Sequence, residues 1–133
     1  MSPPVGSGGL GADRKRVVLV VDDDEAIRRV VRTVLEADNF EVVEAADGPA
    51  ALLLLDAIMG RGPDAVVLDI MMPGIDGIEV CRRIDHDKMK VIMLSARDDG
   101  DTREAAAKAG ADVYLTKPFS AIELLDALEK LAS

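Results

Sequence analysis

The chain has 133 residues, enough for one domain with its own core and too few for two. Apolar residues make up 49% of it and aromatics only 2%, which leaves a core of Val, Leu, Ile, Ala and Met and no stacking platform for a nucleobase or flavin ring. A net charge of -9, with no cluster of Lys and Arg expected to reverse it locally, argues against nucleic acid and anionic membrane surfaces as partners.

The N-terminal stretch, rich in Gly, Pro and Ser, reads as a flexible leader over residues 1–15, so the folded domain is expected over 16–133. Val17 to Val21 is a short β-branched run that suits a buried strand. After it, Ile27, Val30, Val31, Val34 and Leu35 recur at helical spacing, with Arg28, Arg29, Arg32 and Glu36 on the other face. Glu41 to Glu44 predicts a second strand. Asp47-Gly48-Pro49 then opens a helix expected from Ala50 to Met59, stopped by Gly60-Arg61-Gly62-Pro63.

The third strand is expected at Ala65 to Leu68, the third helix from Asp76 to Ile84, and the fourth strand at Val91 to Leu94. Asp101 and Glu104 have capping-box spacing at the head of an alanine-rich helix that Gly110 ends. Val113 to Thr116 is the fifth strand, and Ala121, Leu124, Leu125, Leu128 and Leu131 line the last helix. Strands alternating with helices imply an α/β fold: a five-stranded parallel sheet with helices on both faces and strand order 2-1-3-4-5.

In such a sheet ligands bind beyond the carboxyl ends of the strands. Asp22-Asp23-Asp24, Asp69, Ser95 and Lys117 stand at four of those ends. Taken singly, each has a commoner explanation: an Asp before a helix is usually its N-cap, Asp69 could be a turn residue, Ser95 a loop cap and Lys117 a surface lysine. One cap needs only one Asp, however, and Asp24 is assigned that role. Together the acids and the ammonium describe a pocket for a divalent cation and an anion, and so phosphoryl chemistry. His86 is expected to be exposed in a polar loop. Cys81 is read as a small packing residue, and a single cysteine excludes an intrachain disulfide and a Cys-rich zinc site. No apolar stretch reaches the ~18 residues of a membrane span, and a reducing cytoplasm is the expected compartment.

The strings VVLVVDDDEAIRR, VVLDIMMPGIDGIEV, VIMLSA and GADVYLTKPFS resemble those of bacterial response-regulator receiver domains, over Arg16 to about Leu131. The resemblance implies a (βα)5 fold of flavodoxin type, the one that periodicity gives independently. It puts an acidic pair on Asp22 and Asp23, the phosphorylated aspartate on Asp69, a switch hydroxyl on Ser95, a switch aromatic on Tyr114 and the site lysine on Lys117. Mg2+, which prefers oxygen ligands and keeps several waters, would then be held by Asp22, Asp23, Asp69 and the backbone carbonyl of Met71. The implied partners are a histidine kinase or histidine phosphotransfer protein on the input side and a downstream protein or fused output domain. The resemblance also implies a cis bond between Lys117 and Pro118.

Two departures bear on assembly. SAIELLDALEKLAS lacks the arginine that winged-helix transcription regulators of the family usually carry, and Val113 stands where their common GADDY string has a second acid. A monomer is expected without phosphorylation. A phosphohydrolase with an aspartyl nucleophile is disfavoured because Met71 occupies the position two after Asp69, where such enzymes have a second catalytic Asp. A protein-binding pseudo-receiver is disfavoured because the full set of site residues is present, and a flavodoxin-like carrier because there is no phosphate loop.

Overall fold

The computed structural model describes residues 15–57 and 63–132. The expected leader, apart from Lys15, and the expected end of the second helix at Met59 lie outside the described residues. The elements are β1 (Val17–Val21), α1 (Glu25–Ala37), β2 (Glu41–Ala45), α2 (Gly48–Ala57), β3 (Ala65–Asp69), α3 (Gly77–Arg83), β4 (Lys90–Ser95), α4 (Gly100–Ala109), β5 (Val113–Thr116) and α5 (Ala121–Ala132). The strands form one parallel sheet in the order β2-β1-β3-β4-β5.

Side chains on successive strand residues point to opposite faces, and each face feeds its own core. Val18, Val20, Val67, Ile92 and Leu94 pack with Val31 and Leu35 of α1 and Leu124, Ala127 and Leu128 of α5. Leu19, Val21, Val66, Leu68, Val91 and Met93 pack against Ala51 of α2, Val80 and Cys81 of α3, and Ala106 and Ala109 of α4. Because β1, β3 and β4 are covered on both faces, they read as unbroken apolar runs.

Several local expectations are corrected. Val30 is 58% exposed, since it stands one step off the α1 stripe centred on Val31 and Leu35. On α5 Ala121 is exposed, and Ala127 is buried beside Leu124 and Leu128. The N-cap of α4 is Asp99, not Asp101: its carboxylate accepts from Thr102 N at 3.0 Å, and Glu104 pairs instead with Lys108 at 3.7 Å. The Asp99 carboxyl is pulled down to about 2 by the Thr102 hydroxyl and amide and by Arg97.

His86 is not a free loop residue. Its Nε2 lies 2.7 Å from the Cys81 carbonyl, and its ring fills the space over Gly110, where a Cβ would come within 2.4 Å of it. Cys81 is buried as expected; burial, then Asp112, pushes its thiol up to about 11, so it is an unreactive packing group at neutral pH. No helix among the described residues is long and apolar enough to cross a membrane.

The α3 helix is seated on the end of β3 through Gly77, whose amide donates to Ile70 O at 2.9 Å. A Cβ at Gly77 would stand 2.1 Å from the Asp69 carbonyl oxygen, so the chain has to move there to accept any side chain. Gly100, at the first turn of α4, has nothing within 4 Å of its Cβ position. Gly77→Ala should therefore destabilise the fold by about 1–3 kcal/mol or more, whereas Gly100→Ala should be neutral or slightly stabilising. Urea denaturation of the two variants separates them; equal midpoints would contradict the close approach at Asp69.

Candidate functional site

Strand register assembles the site. Val21 pairs with Leu68 and with Ala45, so Asp22 leaves β1 beside the last residue of β3, Asp69. Asp69 pairs with Leu94, and Ser95 with Thr116, which brings the end of β4 and the residue after β5 to the same edge. Lys117 N donates to Ser95 O at 2.7 Å, and the Lys117-Pro118 bond is cis.

Asp22 is fully buried and Asp69 3% exposed. The Asp22 carboxylate accepts from Asp24 N at 2.9 Å and from Lys117 Nζ at 3.0 Å; the same ammonium lies 3.3 Å from Asp69 Oδ1. The Met71 amide approaches Asp69 Oδ1 at a long 3.4 Å. Asp23 is exposed, and Asp24 caps α1 by accepting from Ala26 N at 2.9 Å. Asp24 is thus the cap, as expected, and Asp22 and Asp23 remain beside Asp69. Carboxylate oxygens of Asp22, Asp23 and Asp69 lie within 4.8 Å of one another.

One ammonium facing two buried carboxylates leaves negative charge uncompensated. Burial, and then the charge of Asp22, raises the Asp69 carboxyl to about 6 against the lowering pull of Lys117. For Lys117, burial works against its charge, but the bonds to Asp22 and the charges of Asp69 and Asp22 outweigh it and raise its pKa. This donor set fits Mg2+: hard oxygen atoms, net negative charge and an exposed third acid that leaves room for water.

Ser95 is fully buried at the end of β4, and its Oγ accepts from Arg97 N at 3.0 Å. Tyr114 is half-buried; its hydroxyl donates to Arg97 O at 2.6 Å, and the Arg103 guanidinium sits 4.5 Å from its ring centroid. The peptide units around Arg97 therefore connect the Ser95 hydroxyl to the Tyr114 hydroxyl. Met71 is 56% exposed at the rim of the pocket.

Arg28 is a site residue that sequence reasoning placed only on a solvated helix face. It donates to the Asp22 carbonyl at 2.7 Å and, with Arg32, pairs with Glu44 of β2, at 3.0 Å and 2.6 Å respectively. Burial alone would raise the Glu44 carboxyl, but the two guanidiniums outweigh it and hold the group below its usual value. The only signal in the sequence was helical spacing toward the acidic edge strand.

A family model described as the response regulator receiver domain matches residues 18–129. Response regulator MprA of Mycobacterium sp. (strain KMS) is 47% identical over 116 residues, which are 86% of this chain and 49% of that protein. MprA of Mycobacterium bovis (strain BCG / Pasteur 1173P2) is 46% identical over the same share of each chain. The chain thus spans about half the length of these curated relatives. Among solved structures, the receiver domain of the Francisella response regulator 1452 has a TM-score of 0.79 at 36% identity, covering 88% of this chain and 96% of that one. Response regulator TrrA of Thermotoga maritima, solved in complex with Mg2+-BeF, has a TM-score of 0.76 at 35% identity, covering 87% and 98%. Sequence, sheet order and the acidic cluster agree, and the chain belongs to the response regulator receiver domains.

Proposed function

We propose that Asp69 is the residue phosphorylated in this receiver domain, with a histidine kinase or histidine phosphotransfer protein as donor. The observation that carries this is the placement of Asp69: a buried strand-end carboxylate beside Asp22 and Asp23, with the Lys117 ammonium 3.3 Å away. An ionised Asp69 oxygen attacks the phosphorus of the donor phosphohistidine. The new P–O bond forms as the P–N bond breaks, and the imidazole leaves with the electron pair. Since phosphoryl transfer depends chiefly on positioning and charge stabilisation, few side chains are needed. Lys117 and Ser95 hold the phosphoryl oxygens.

Asp22, Asp23 and Asp69 with the Met71 carbonyl would hold Mg2+. When bound, the ion supplies charge screening between the phosphoryl group and the carboxylates. Each of the chain's own acids has a separate part: Asp69 is the nucleophile, Asp22 fixes Lys117, and exposed Asp23 completes the oxygen set. The reading is a phosphoacceptor signalling module, with the output residing in a downstream protein or a fused domain. For the unphosphorylated chain we favour a monomer, because Glu123 and Arg103 on the α4–β5–α5 face are engaged within their own chain, with Ser120 N and with Asp98.

Incubation with Mg2+ and acetyl phosphate, followed by intact mass, tests the acceptor. Wild type should gain one hydroxylamine-labile phosphate, and Asp69→Asn should gain none. A variant labelled with native kinetics would place the acceptor elsewhere, and continuous turnover of acetyl phosphate without a stable adduct would favour a hydrolase.

The switch reading follows from the Ser95–Arg97–Tyr114 connection. Movement of the Ser95 hydroxyl toward a phosphoryl group releases the Arg97 amide, and the loop that holds the Tyr114 hydroxyl loosens with it. Tyr114 is the sole tyrosine and the chain has no tryptophan, so tyrosine fluorescence reports on this one ring. Saturating beryllofluoride with Mg2+ should change that fluorescence, and Ser95→Ala should weaken the response while leaving Mg2+ binding nearly intact. No change in wild type at saturation would remove the switch.

A further inference from the structure

A second cavity, of about 240 Å3, lies at the opposite edge of the sheet from Asp69, among the residues that begin β1, β2, β3 and β4 and end α5. Its apolar lining is Val18, Phe40, Leu128 and Leu131, and Arg16, Lys88 and Lys90 stand around it. Asp64 also lines it, with its carboxylate accepting from Val17 N at 2.7 Å.

The cations are unusual for this chain. Most described arginines and lysines hold a carboxylate within ion-pair distance, including Arg28, Arg32, Arg83, Arg103 and Lys117. Arg16, Lys88 and Lys90 form no ion pair among the described residues, and all three are exposed. A protein of net charge -9 therefore concentrates unpaired positive charge around one apolar cavity. The expectation that no basic cluster exists is corrected here: the fold collects these residues from the starts of two strands and the loop before β4.

We propose that this cavity docks an acidic polypeptide segment that inserts one large apolar side chain between Phe40 and Leu131 and sets flanking carboxylates against Arg16, Lys88 and Lys90. The volume falls below the ~300–1,000 Å3 of sites that enclose a small-molecule ligand, and it suits a single side chain. Phe40 alone gives no stacking platform for bases. Three cations also fall short of the roughly 6–10 phosphate contacts of an extended, strongly salt-dependent nucleic-acid footprint. At physiological ionic strength the Debye length is about 8 Å, so the three local cations, offset by the single Asp64 carboxylate in the lining, outweigh the distant acids in setting the potential a docked carboxylate meets. Because the cavity and Asp69 lie at opposite edges, docking is independent of the acceptor assignment.

The test is a titration of the 15N-labelled chain with an acetylated hexapeptide in which Leu-Phe is flanked by two Glu on each side. Amide shifts should be confined to the surroundings of Phe40, Lys88, Lys90 and Leu131, and should be the same in Asp69→Asn. Lys88→Glu combined with Lys90→Glu should weaken binding about tenfold or more, equivalent to about 1.4 kcal/mol. Replacing Leu-Phe by Ala-Ala in the peptide, which leaves the protein untouched, should abolish the shifts. Absence of shifts at millimolar peptide, equal binding by the charge-reversed protein, or equal binding of the Ala-Ala peptide would overturn the proposal. So would a short DNA duplex that produced the same shifts at comparable affinity.

Discussion

Lys117 Nζ lies 3.0 Å from Asp22 Oδ2 and 3.3 Å from Asp69 Oδ1, and its side chain is only 18% exposed. Two buried acids share this one ammonium. A full neutralisation would make the edge an inert ion-pair network, and the absence of Lys117 would leave two like charges facing each other in a poorly solvated pocket. The intermediate condition is the one that suits the proposed phosphoryl transfer. It keeps enough negative charge to attract a divalent cation and enough positive charge to receive phosphoryl oxygens.

The sheet's register makes that sharing possible, because three strand ends must reach the same level for one lysine to touch two acids. The Lys117 amide bonded to Ser95 O anchors the lysine to β4, while Arg28 anchors the Asp22 carbonyl from α1. Gly77 brings the head of α3 against Asp69, so the third helix closes over the strand end that bears the acceptor candidate. The loop after Ser95 carries Arg97, to which the Tyr114 hydroxyl is tied.

Strand order and the residues gathered at the candidate site were legible in the sequence because they depend on periodicity and on which residue follows each apolar run. Asp22, Asp69, Ser95 and Lys117 all occupy such positions, and a strand-end position already states an edge. What was not legible depends on distance across the fold. Arg28 looked like a solvated helix residue because its partners, Glu44 and the Asp22 carbonyl, become neighbours only when α1 packs beside β2. Asp99 was passed over as a cap since Asp98-Asp99-Gly100-Asp101 offers several candidates and only Asp101 has a Glu at capping-box spacing. His86 looked exposed because a polar loop gives no sign that Gly110 leaves room for its ring. The cluster of Arg16, Lys88 and Lys90 was invisible to a scan for basic runs, which finds only charges adjacent in sequence.

The central claim, that Lys117 compensates the buried acids only in part, is tested most directly by following the Asp69 carboxyl 13C resonance with pH in chelator. The Asp69 pKa should be about 6, raised from an ordinary value of 3.8. A raised carboxyl stabilises the folded state most fully below its unfolded pKa, and that contribution is lost as pH rises toward about 6; stability of the metal-free protein should fall across this window. Lys117→Met should move the Asp69 midpoint higher, and Mg2+ should move it lower in the wild type. A midpoint at or below 3.8 without metal, unchanged by Lys117→Met, would contradict the account.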